Sequence, residues 1–357
     1  MLAILAPYDR SETTLAALRV ADLAMEAGID LIYAVSGAKG QGIHRYWDQQ
    51  AIAKSGTDKL KKLLPSKFSH VISFGMQPLE SCKYIPKMGL LAKTPFNDVI
   101  VQPYDLRRNE AYNWSQCQRI ICTSNSLHKL ATTAGHLGMG NVTIQKLHWA
   151  SGDDGNPTEV DPKAIRFAAV CDSGCLREYP EIWLQCVDTF LSATVGHTVS
   201  NYLTTSLPRR ARSMVKHLLD KHAGRFTVKR AMCVQDLLVW IRDHDFGLYP
   251  SCYTVFGIYP SIFSGIRMPF MACKVSPIDE MTPDRVQSHL VAMPACLEAN
   301  GVDRALFDSN RWLDAWHQLA SNPYPLLSHR ESADALRQQA NHRFSEFWRS
   351  SWRATLQ

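Results

Sequence analysis

Short apolar runs alternate with amphipathic helical segments through two successive stretches of this chain. In the first stretch, the apolar run Met1–Ala6 precedes a helical pattern over Thr13–Ala27, which Gly28 ends as a C-terminal glycine does. Further strand-like runs lie at Leu31–Val35, His70–Phe74, Val99–Val101, Arg119–Thr123 and Val142–Leu147, and Ser124–Ala134 has helical spacing. Strands that alternate with helices favour an α/β fold, in which helices cover both faces of a parallel sheet.

The same pattern begins again after the polar segment Ser151–Pro162, whose Gly, Asp and Pro content is typical of a linker. Strands are predicted at Ile165–Cys171, His197–Leu203, Phe226–Ala231 and Phe246–Tyr249, and helices at Tyr179–Leu191, Arg209–His222 and Val234–Asp243. We therefore predict two Rossmann-like domains, residues 1–150 and 163–331. Residues 332–357 form a long amphipathic C-terminal helix in this interpretation.

Composition indicates an ordinary globular protein, since 46% of its 357 residues are hydrophobic and 20% are charged. No apolar run approaches the roughly 20 residues that span a bilayer, and the N-terminus lacks the pattern of a signal peptide. We expect a cytoplasmic, monomeric protein without stable membrane insertion. The ten cysteines show no zinc-site spacing, so no metal is predicted. The net charge of +6 suits an anionic ligand such as a nucleotide or nucleic acid.

Polar residues that follow the predicted strands are the candidate ligand-binding residues, because parallel sheets bind ligands at their carboxyl ends. Four carboxylates of the first half are candidates for the base that accepts a proton from a hydroxyl: Asp9, Glu12, Asp98 and Asp105. The alternatives are structural. Ser11 and Glu12 suit the start of a helix, and Asp98 suits a turn before a strand.

The segment Ser36–Asp48 combines three glycines with basic and aromatic residues, a mixture that can hold a phosphate backbone and stack a base. The candidate residues for binding the acceptor, the molecule that carries the reacting hydroxyl, are Arg10 and, from this segment, Lys39, Gln41, His44, Arg45 and Trp47. A plain flexible surface loop is the alternative. In the second half, the turn with Ser173, Gly174 and Arg177 opens a helix, where backbone N–H groups can bind phosphate.

The segment Asp245–Phe270 resembles the donor-site signature of GT-B glycosyltransferases. In that family a strand ends in Pro-Ser, as at Pro250-Ser251, and an aromatic residue with Gly opens a helix, as at Phe256-Gly257. The resemblance implies two Rossmann-like domains that face each other across a cleft, with the C-terminal helix crossing back to the first. It also implies a nucleotide-sugar co-substrate, taken to be a UDP-sugar, and no required cofactor.

The same resemblance assigns donor-binding residues. Ser251 and the stretch Tyr253, Thr254, Val255, Phe256 and Gly257 correspond to the diphosphate and sugar site. Met232 and Cys233 correspond to the nucleobase site. Arg177, Lys229 and Arg230 are candidates for the basic pair at the diphosphate. Where many retaining members carry two glutamates, this chain has Thr254 and Ile262, so inversion and retention both stay open.

The acceptor is predicted from the positive net charge of the chain and from its similarity in size to phage-type DNA glycosyltransferases. Those enzymes glycosylate a hydroxymethylated pyrimidine that is flipped out of the DNA duplex. We therefore expect a DNA acceptor, and a host-cytoplasm location if the protein is phage-encoded. Two alternatives stay open. One is a cell-envelope glycosyltransferase acting on a lipid-linked or polysaccharide acceptor, and the other is a GT-B protein that binds a donor without turnover.

Overall fold

The protein is described by a computed structural model. The residues that the structure describes are 1–6, 12–35, 52–53, 69–75, 96–101, 117–135, 142–150, 160–171, 179–204, 206–230, 232, 234–281, 288–294, 296–299, 302–328 and 330–356. The chain divides into two compact units. Unit 1 consists of Met1–Trp149, Asn300–Val302 and His342–Gln357, and unit 2 of Ala150–Ala299 and Asp303–Asn341.

Unit 1 is built on a seven-stranded sheet in the order β3-β2-β1-β4-β5-β6-β7, and all its described pairings are parallel. The strands are β1 (Leu2–Ala6), β2 (Leu31–Val35), β3 (Ile52–Ala53), β4 (His70–Phe74), β5 (Phe96–Ile100), β6 (Arg119–Cys122) and β7 (Thr143–Lys146). All five side chains of β1 are inaccessible to solvent, which explains why its sequence is uniformly apolar rather than alternating.

The helices of unit 1 among the described residues are α1 (Glu12–Glu26), α2 (Asn125–Gly135) and the second part of the long C-terminal helix α10 (Arg330–Leu356). Aromatic side chains hold α10 to this unit. The rings of Phe344 and Trp149 lie 4.8 Å apart edge to face, and Trp149 contacts Phe74 of β4 in the same way at 5.8 Å. Trp348 and Trp352 are also buried. Such aromatic pairs stabilise a fold beyond their buried area.

A buried polar network also ties α10 to the sheet. Both Asp98 oxygens accept hydrogen bonds from Arg119, at 2.6 Å each, and Asp98 Oδ2 lies 2.8 Å from His70 Nε2. Arg119 donates to the Ser351 hydroxyl at 2.5 Å, and His70 Nδ1 lies 3.0 Å from Thr355 Oγ1. His70 and Arg119 are the first residues of β4 and β6, so the network occupies the amino end of the strands.

Unit 2 repeats the plan with a six-stranded sheet in the order β10-β9-β8-β11-β12-β13, again with every described pairing parallel. The strands are β8 (Arg166–Cys171), β9 (Thr198–Leu203), β10 (Phe226–Arg230), β11 (Phe246–Tyr249), β12 (Phe270–Cys273) and β13 (Ser288–Val291). A separate two-stranded sheet pairs β14 (Cys296–Ala299) with β15 (Val302–Ala305).

The helices of unit 2 are α3 (Pro180–Ala193), α4 (Arg209–Lys221), α5 (Val234–Arg242), α6 (Ile258–Gly265), α7 (Ile278–Met281), α8 (Ser309–Ser321), α9 (Tyr324–Ser328) and the first part of α10. An aromatic cluster joins α3 to α8. The ring of Phe190 stacks on Trp316 with centroids 3.9 Å apart, and Trp183 stacks on Trp316 at 5.7 Å. All three side chains are fully buried, so they form the core of this unit on one face of the sheet.

The structure confirms the predicted α/β class, with two parallel sheets and intervening helices. Most predicted strands agree to within a residue or two, but β5 begins at Phe96 rather than at Val99. Among the described helices, none is long and apolar enough to cross a membrane. Six cysteines are buried free thiols: Cys117, Cys122, Cys171, Cys186, Cys252 and Cys273.

Candidate functional site

The strand order of unit 2 reverses between β8 and β11. The chain runs outward from β8 to β9 and β10 on one side, and from β11 to β12 and β13 on the other. At such a reversal the connections leave the carboxyl edge in opposite directions and open a crevice, where ligands of doubly wound sheets bind. The loop that follows β11, Pro250–Gly257, leads from this point into α6 and forms the described part of the candidate site.

The hydroxyl of Tyr179 fixes the start of this loop. It donates a hydrogen bond to the Pro250 carbonyl and accepts one from the Cys252 amide, both at 2.8 Å. Tyr179 directly precedes α3, is 7% exposed, and stacks on Phe307 with ring centroids 4.8 Å apart. One buried side chain therefore satisfies two backbone groups of the loop and holds it beside the start of α3.

Short-range contacts hold the next residues. Ser251 is fully buried, and its hydroxyl donates to the Tyr253 carbonyl at 2.7 Å. The side chain of Cys252 is buried, with its sulfur 3.5 Å from that of Cys273 at the end of β12. These contacts within the protein give the loop a defined shape.

Thr254 and Gly257 shape the entry into α6. The Thr254 hydroxyl accepts a hydrogen bond from the Gly257 amide at 2.9 Å, and Gly257 adopts a φ of +62° as the N-cap residue. A Cβ at Gly257 would lie 3.0 Å from the sulfur of Met281, so glycine is favoured by both conformation and space. A glycine N-cap has no side chain to bond the first turn, and that turn holds no acidic residue. The start of α6 therefore keeps the positive end of its dipole, which suits an anion.

The other predicted donor-binding residues lie in different surroundings. Val255 and Phe256 are buried, at 9% and 0% exposure, so their side chains belong to the core of the loop. Tyr253 and Met232 are half-buried. Ser261 and Ile262, which lie in the helix where the GT-B signature carries a glutamate, are buried at 7% and 6% exposure.

Lys229 and Arg230 are exposed at the carboxyl end of β10. Three strand spacings separate β10 from β11, or about 14 Å at about 4.8 Å each. A diphosphate at the start of α6 is too small to bridge that span, so Lys229 and Arg230 are too far from α6 to contact it there. Ser173, Gly174, Arg177 and Cys233 lie outside the described residues.

The placement predicted for Asp98 was wrong. Asp98 is the third of the five residues of β5, is inaccessible to solvent, and is bonded to Arg119 and His70. It neither ends a strand nor precedes one. A carboxylate enclosed by a cation and a histidine at the amino end of the sheet has no access to a substrate at the carboxyl end.

Glu12 lies where a ligand of unit 1 would bind. It is the first residue of α1, the helix that follows β1, and β1 flanks the reversal of strand order against β4. Its side chain is half-buried. The remaining base candidates, Asp9 and Asp105, lie outside the described residues, as do the predicted acceptor-binding residues Arg10, Lys39, Gln41, His44, Arg45 and Trp47.

Sequence reasoning missed Tyr179 and the His70–Asp98–Arg119 network. An aromatic residue just before a helix is a common core pattern, and its hydroxyl contacts residues 71 and 73 positions away. Within the described residues, no group of three or more His, Cys, Asp or Glu side chains is placed to hold a metal ion.

Comparisons with known proteins show which folds this architecture is similar to. No protein-family model matches the sequence, and no curated protein matches it either. Solved structures do match over nearly the whole chain. Sucrose-phosphate synthase from Thermosynechococcus elongatus matches with a TM-score of 0.65 and 11% identity, covering 99% of each chain. Anabaena HepE, in complex with UDP and glucose, matches with a TM-score of 0.63 and 11% identity, covering 99% of this chain and 98% of its own.

A third match is an α-glucosyltransferase in complex with UDP and a 13-mer DNA containing a HMU base. Its TM-score is 0.63 and its identity 12%, and 95% of each chain is covered. At these identities the likeness establishes the fold. The chain has the GT-B architecture of glycosyltransferases, as its sequence signature implied.

Proposed function

We propose that this protein is a glycosyltransferase that takes a sugar from a UDP-sugar bound in unit 2 and transfers it to a hydroxyl group. The loop Pro250–Gly257 carries the proposal. It lies at the switch point of a doubly wound sheet, it is held by Tyr179 and Thr254, and it leads into the positive end of α6. A nucleotide diphosphate is the kind of anion that such a helix start binds.

In this proposal the start of α6 stabilises the diphosphate as negative charge develops on it when the bond to the sugar breaks. Tyr253, Val255 and Gly257 hold the diphosphate and the sugar, together with Ser173, Gly174 and Arg177, whereas the buried Ser251, Thr254 and Phe256 support the loop from inside. We assign Lys229, Arg230, Met232 and Cys233 to the nucleoside. The reaction then uses the nucleotide-sugar as co-substrate and no resident cofactor.

The acceptor that we propose is a 5-hydroxymethylpyrimidine in DNA. The net charge of +6 and the GT-B neighbour that was solved with UDP and HMU-containing DNA support it. In that case Arg10 and the residues Lys39, Gln41, His44, Arg45 and Trp47 contact the DNA. The hydroxymethyl group of a flipped-out base would then reach the sugar.

Glu12 is the base candidate that its position favours, with Asp9 and Asp105 as the others. It starts the helix at the switch point of unit 1, and a half-buried carboxylate there can accept the proton of the attacking hydroxyl if the reaction inverts. The leaving oxygen of the UDP takes the electron pair of the broken sugar bond.

The test is a transfer assay with radiolabelled UDP-glucose and other nucleotide sugars. The acceptors are DNA with 5-hydroxymethylcytosine, DNA with 5-hydroxymethyluracil, and unmodified DNA. We expect label on hydroxymethylated DNA alone. The Glu12→Gln variant should lose about 100-fold or more of the transfer rate if Glu12 is the base. The control is Glu26→Gln, which changes an exposed glutamate at the other end of the same helix.

Each other outcome has a definite meaning. Slow donor hydrolysis without label on any DNA would contradict the DNA acceptor and favour a cell-envelope or small-molecule acceptor. Donor binding without transfer or hydrolysis would favour a non-catalytic binding protein. A full transfer rate in Glu12→Gln would exclude Glu12 as the base and leave Asp9 and Asp105.

A further inference from the structure

Helix α4 presents a basic face to solvent. Arg209, Arg212 and Lys216 are all exposed, and their spacing of three and four residues places them along one side of the helix. The opposite side, formed by Ala211, Val215 and Leu218, is buried. We call Arg209, Arg212 and Lys216 the α4 basic face.

The cations of this face have no ion-pair partner among the described residues, whereas Lys221 at the end of α4 pairs with Asp188 at 2.7 Å. The first four residues of α4 include Arg209, Arg210 and Arg212 and no acidic residue. A helix start favours acidic side chains, because its dipole is positive there. These arginines therefore oppose the stability of their own helix, which indicates that they serve an external anion.

The position of α4 relates the basic face to the candidate site. The helix begins after β9 at the carboxyl edge of the sheet, which is the edge that carries the loop after β11. Two strand spacings separate β9 from β11, or about 10 Å. An elongated polyanion could therefore place its reacting group at the switch point and still contact α4.

We propose that the α4 basic face binds the phosphodiester backbone of a duplex nucleic acid, an inference that rests on the DNA acceptor of the proposed function. Seven residues of helix separate Arg209 from Lys216, or about 10 Å. Duplex DNA presents a closely spaced row of phosphates along each strand, so each of the three cations of the face can contact one phosphate. Arginine also binds phosphate through two parallel N–H groups.

The face fits a nucleic acid better than a membrane. Helices that dock on lipid insert an apolar face beneath the headgroups. In α4 the apolar side packs inside the protein, and among its residues, all of which are described, Leu219 is the one exposed large apolar side chain, at 40%.

The experiment measures binding of the full chain to a duplex of about 20 base pairs by fluorescence anisotropy, across a range of salt concentrations. The test variant combines Arg209→Ala, Arg212→Ala and Lys216→Ala. The control variant combines Lys163→Ala, Arg343→Ala and Arg353→Ala, which removes the same charge from other exposed positions. UDP binding is measured in parallel, because none of these residues belongs to the proposed donor site.

We expect the slope of log affinity against log salt to become shallower by about 2 to 3 in the test variant alone, since each phosphate contact contributes roughly 0.9. UDP affinity should be unchanged. Equal slopes for the two variants would overturn the inference, even if the enzyme still transfers sugar to DNA. If wild type transfers no label to DNA and the test variant loses duplex binding, the result would support the α4 basic face and contradict the DNA acceptor. Binding of wild type to anionic vesicles but not to duplex, weakened in the test variant, would assign the face to a membrane.

Discussion

At the scale of single residues, the glycine at position 247 in β11 allows α6 to pack closely against the sheet. A Cβ built on Gly247 of β11 would lie 2.7 Å from two ring atoms of Phe263 and 2.8 Å from a third. Phe263 is fully buried on α6, so its ring is enclosed by the protein core. This contact places α6, and with it the loop Pro250–Gly257, against β11.

We predict that Gly247→Ala lowers the free energy of unfolding by about 1–3 kcal/mol, the usual cost of overpacking a core. Chemical denaturation of wild type and variant measures it. The penalty should be smaller when Gly247→Ala is introduced into a Phe263→Leu background, because the smaller side chain relieves the contact. An equal penalty in both backgrounds would show that the Phe263 ring is not the cause.

Residue by residue, the sequence predicted apolar strands better than polar ones. The strand β5 was expected to start at Val99, with Asp98 as a candidate turn residue before it, but Asn97 and Asp98 both belong to the strand. Both are inaccessible to solvent, and their side chains bond Gln118, Arg119 and His70, which lie 21 or more positions away along the chain. Local patterns contain no information about such partners, which explains both the late start predicted for β5 and the wrong placement of Asp98.

At the scale of elements, the end of α10 depends on one buried carboxylate. Arg119 and His70 bind Asp98 on one side, and Ser351 and Thr355 of α10 on the other. The arrangement couples the amino ends of β4, β5 and β6 to the last turns of the helix. Buried charges in such networks are costly to leave unpaired.

We predict that Asp98→Asn destabilises unit 1 by about 3–5 kcal/mol, because it leaves Arg119 without its buried partner. Hydrogen exchange should show loss of protection in residues 342–356. Asp188→Asn is the matched control, since Asp188 also bonds a cation and a histidine but is 33% exposed. Its cost should stay below about 1 kcal/mol. Similar costs for the two variants would contradict a special role for the buried network.

The elements of the candidate site were predictable where the chain carries a local signature. The strand β11 followed from the alternation of strands and helices, and the helix after Phe256-Gly257 followed from the resemblance. The helix α8 was missed although its signal is present: Asp308 caps it, and Trp312, Ala315, Trp316 and Leu319 are buried at helical spacing. The contact of Tyr179 with the loop depends on tertiary packing, which no local pattern indicates.

At the scale of the whole molecule, the same strand order occurs in both units. Each sheet reverses direction next to its first strand, and each reversal carries polar residues that the sequence singled out: Glu12 in unit 1 and the loop Pro250–Gly257 in unit 2. The repeated plan explains the GT-B likeness at 9–12% identity, because the pattern of buried strands and helices defines the fold without a shared sequence.

The central claim is that the loop held by Tyr179 forms a nucleotide diphosphate site. Calorimetric titration of the full chain with UDP, and with ADP and GDP for comparison, measures this. We predict that wild type binds UDP and that Tyr179→Phe binds it about tenfold more weakly, a loss of about 1.4 kcal/mol. The variant loses one hydroxyl and its two bonds to the loop but keeps the ring. Tyr324→Phe, which changes an exposed tyrosine, should bind as wild type does. No binding of any nucleotide by folded wild-type protein, or equal affinities in the two variants, would contradict the claim.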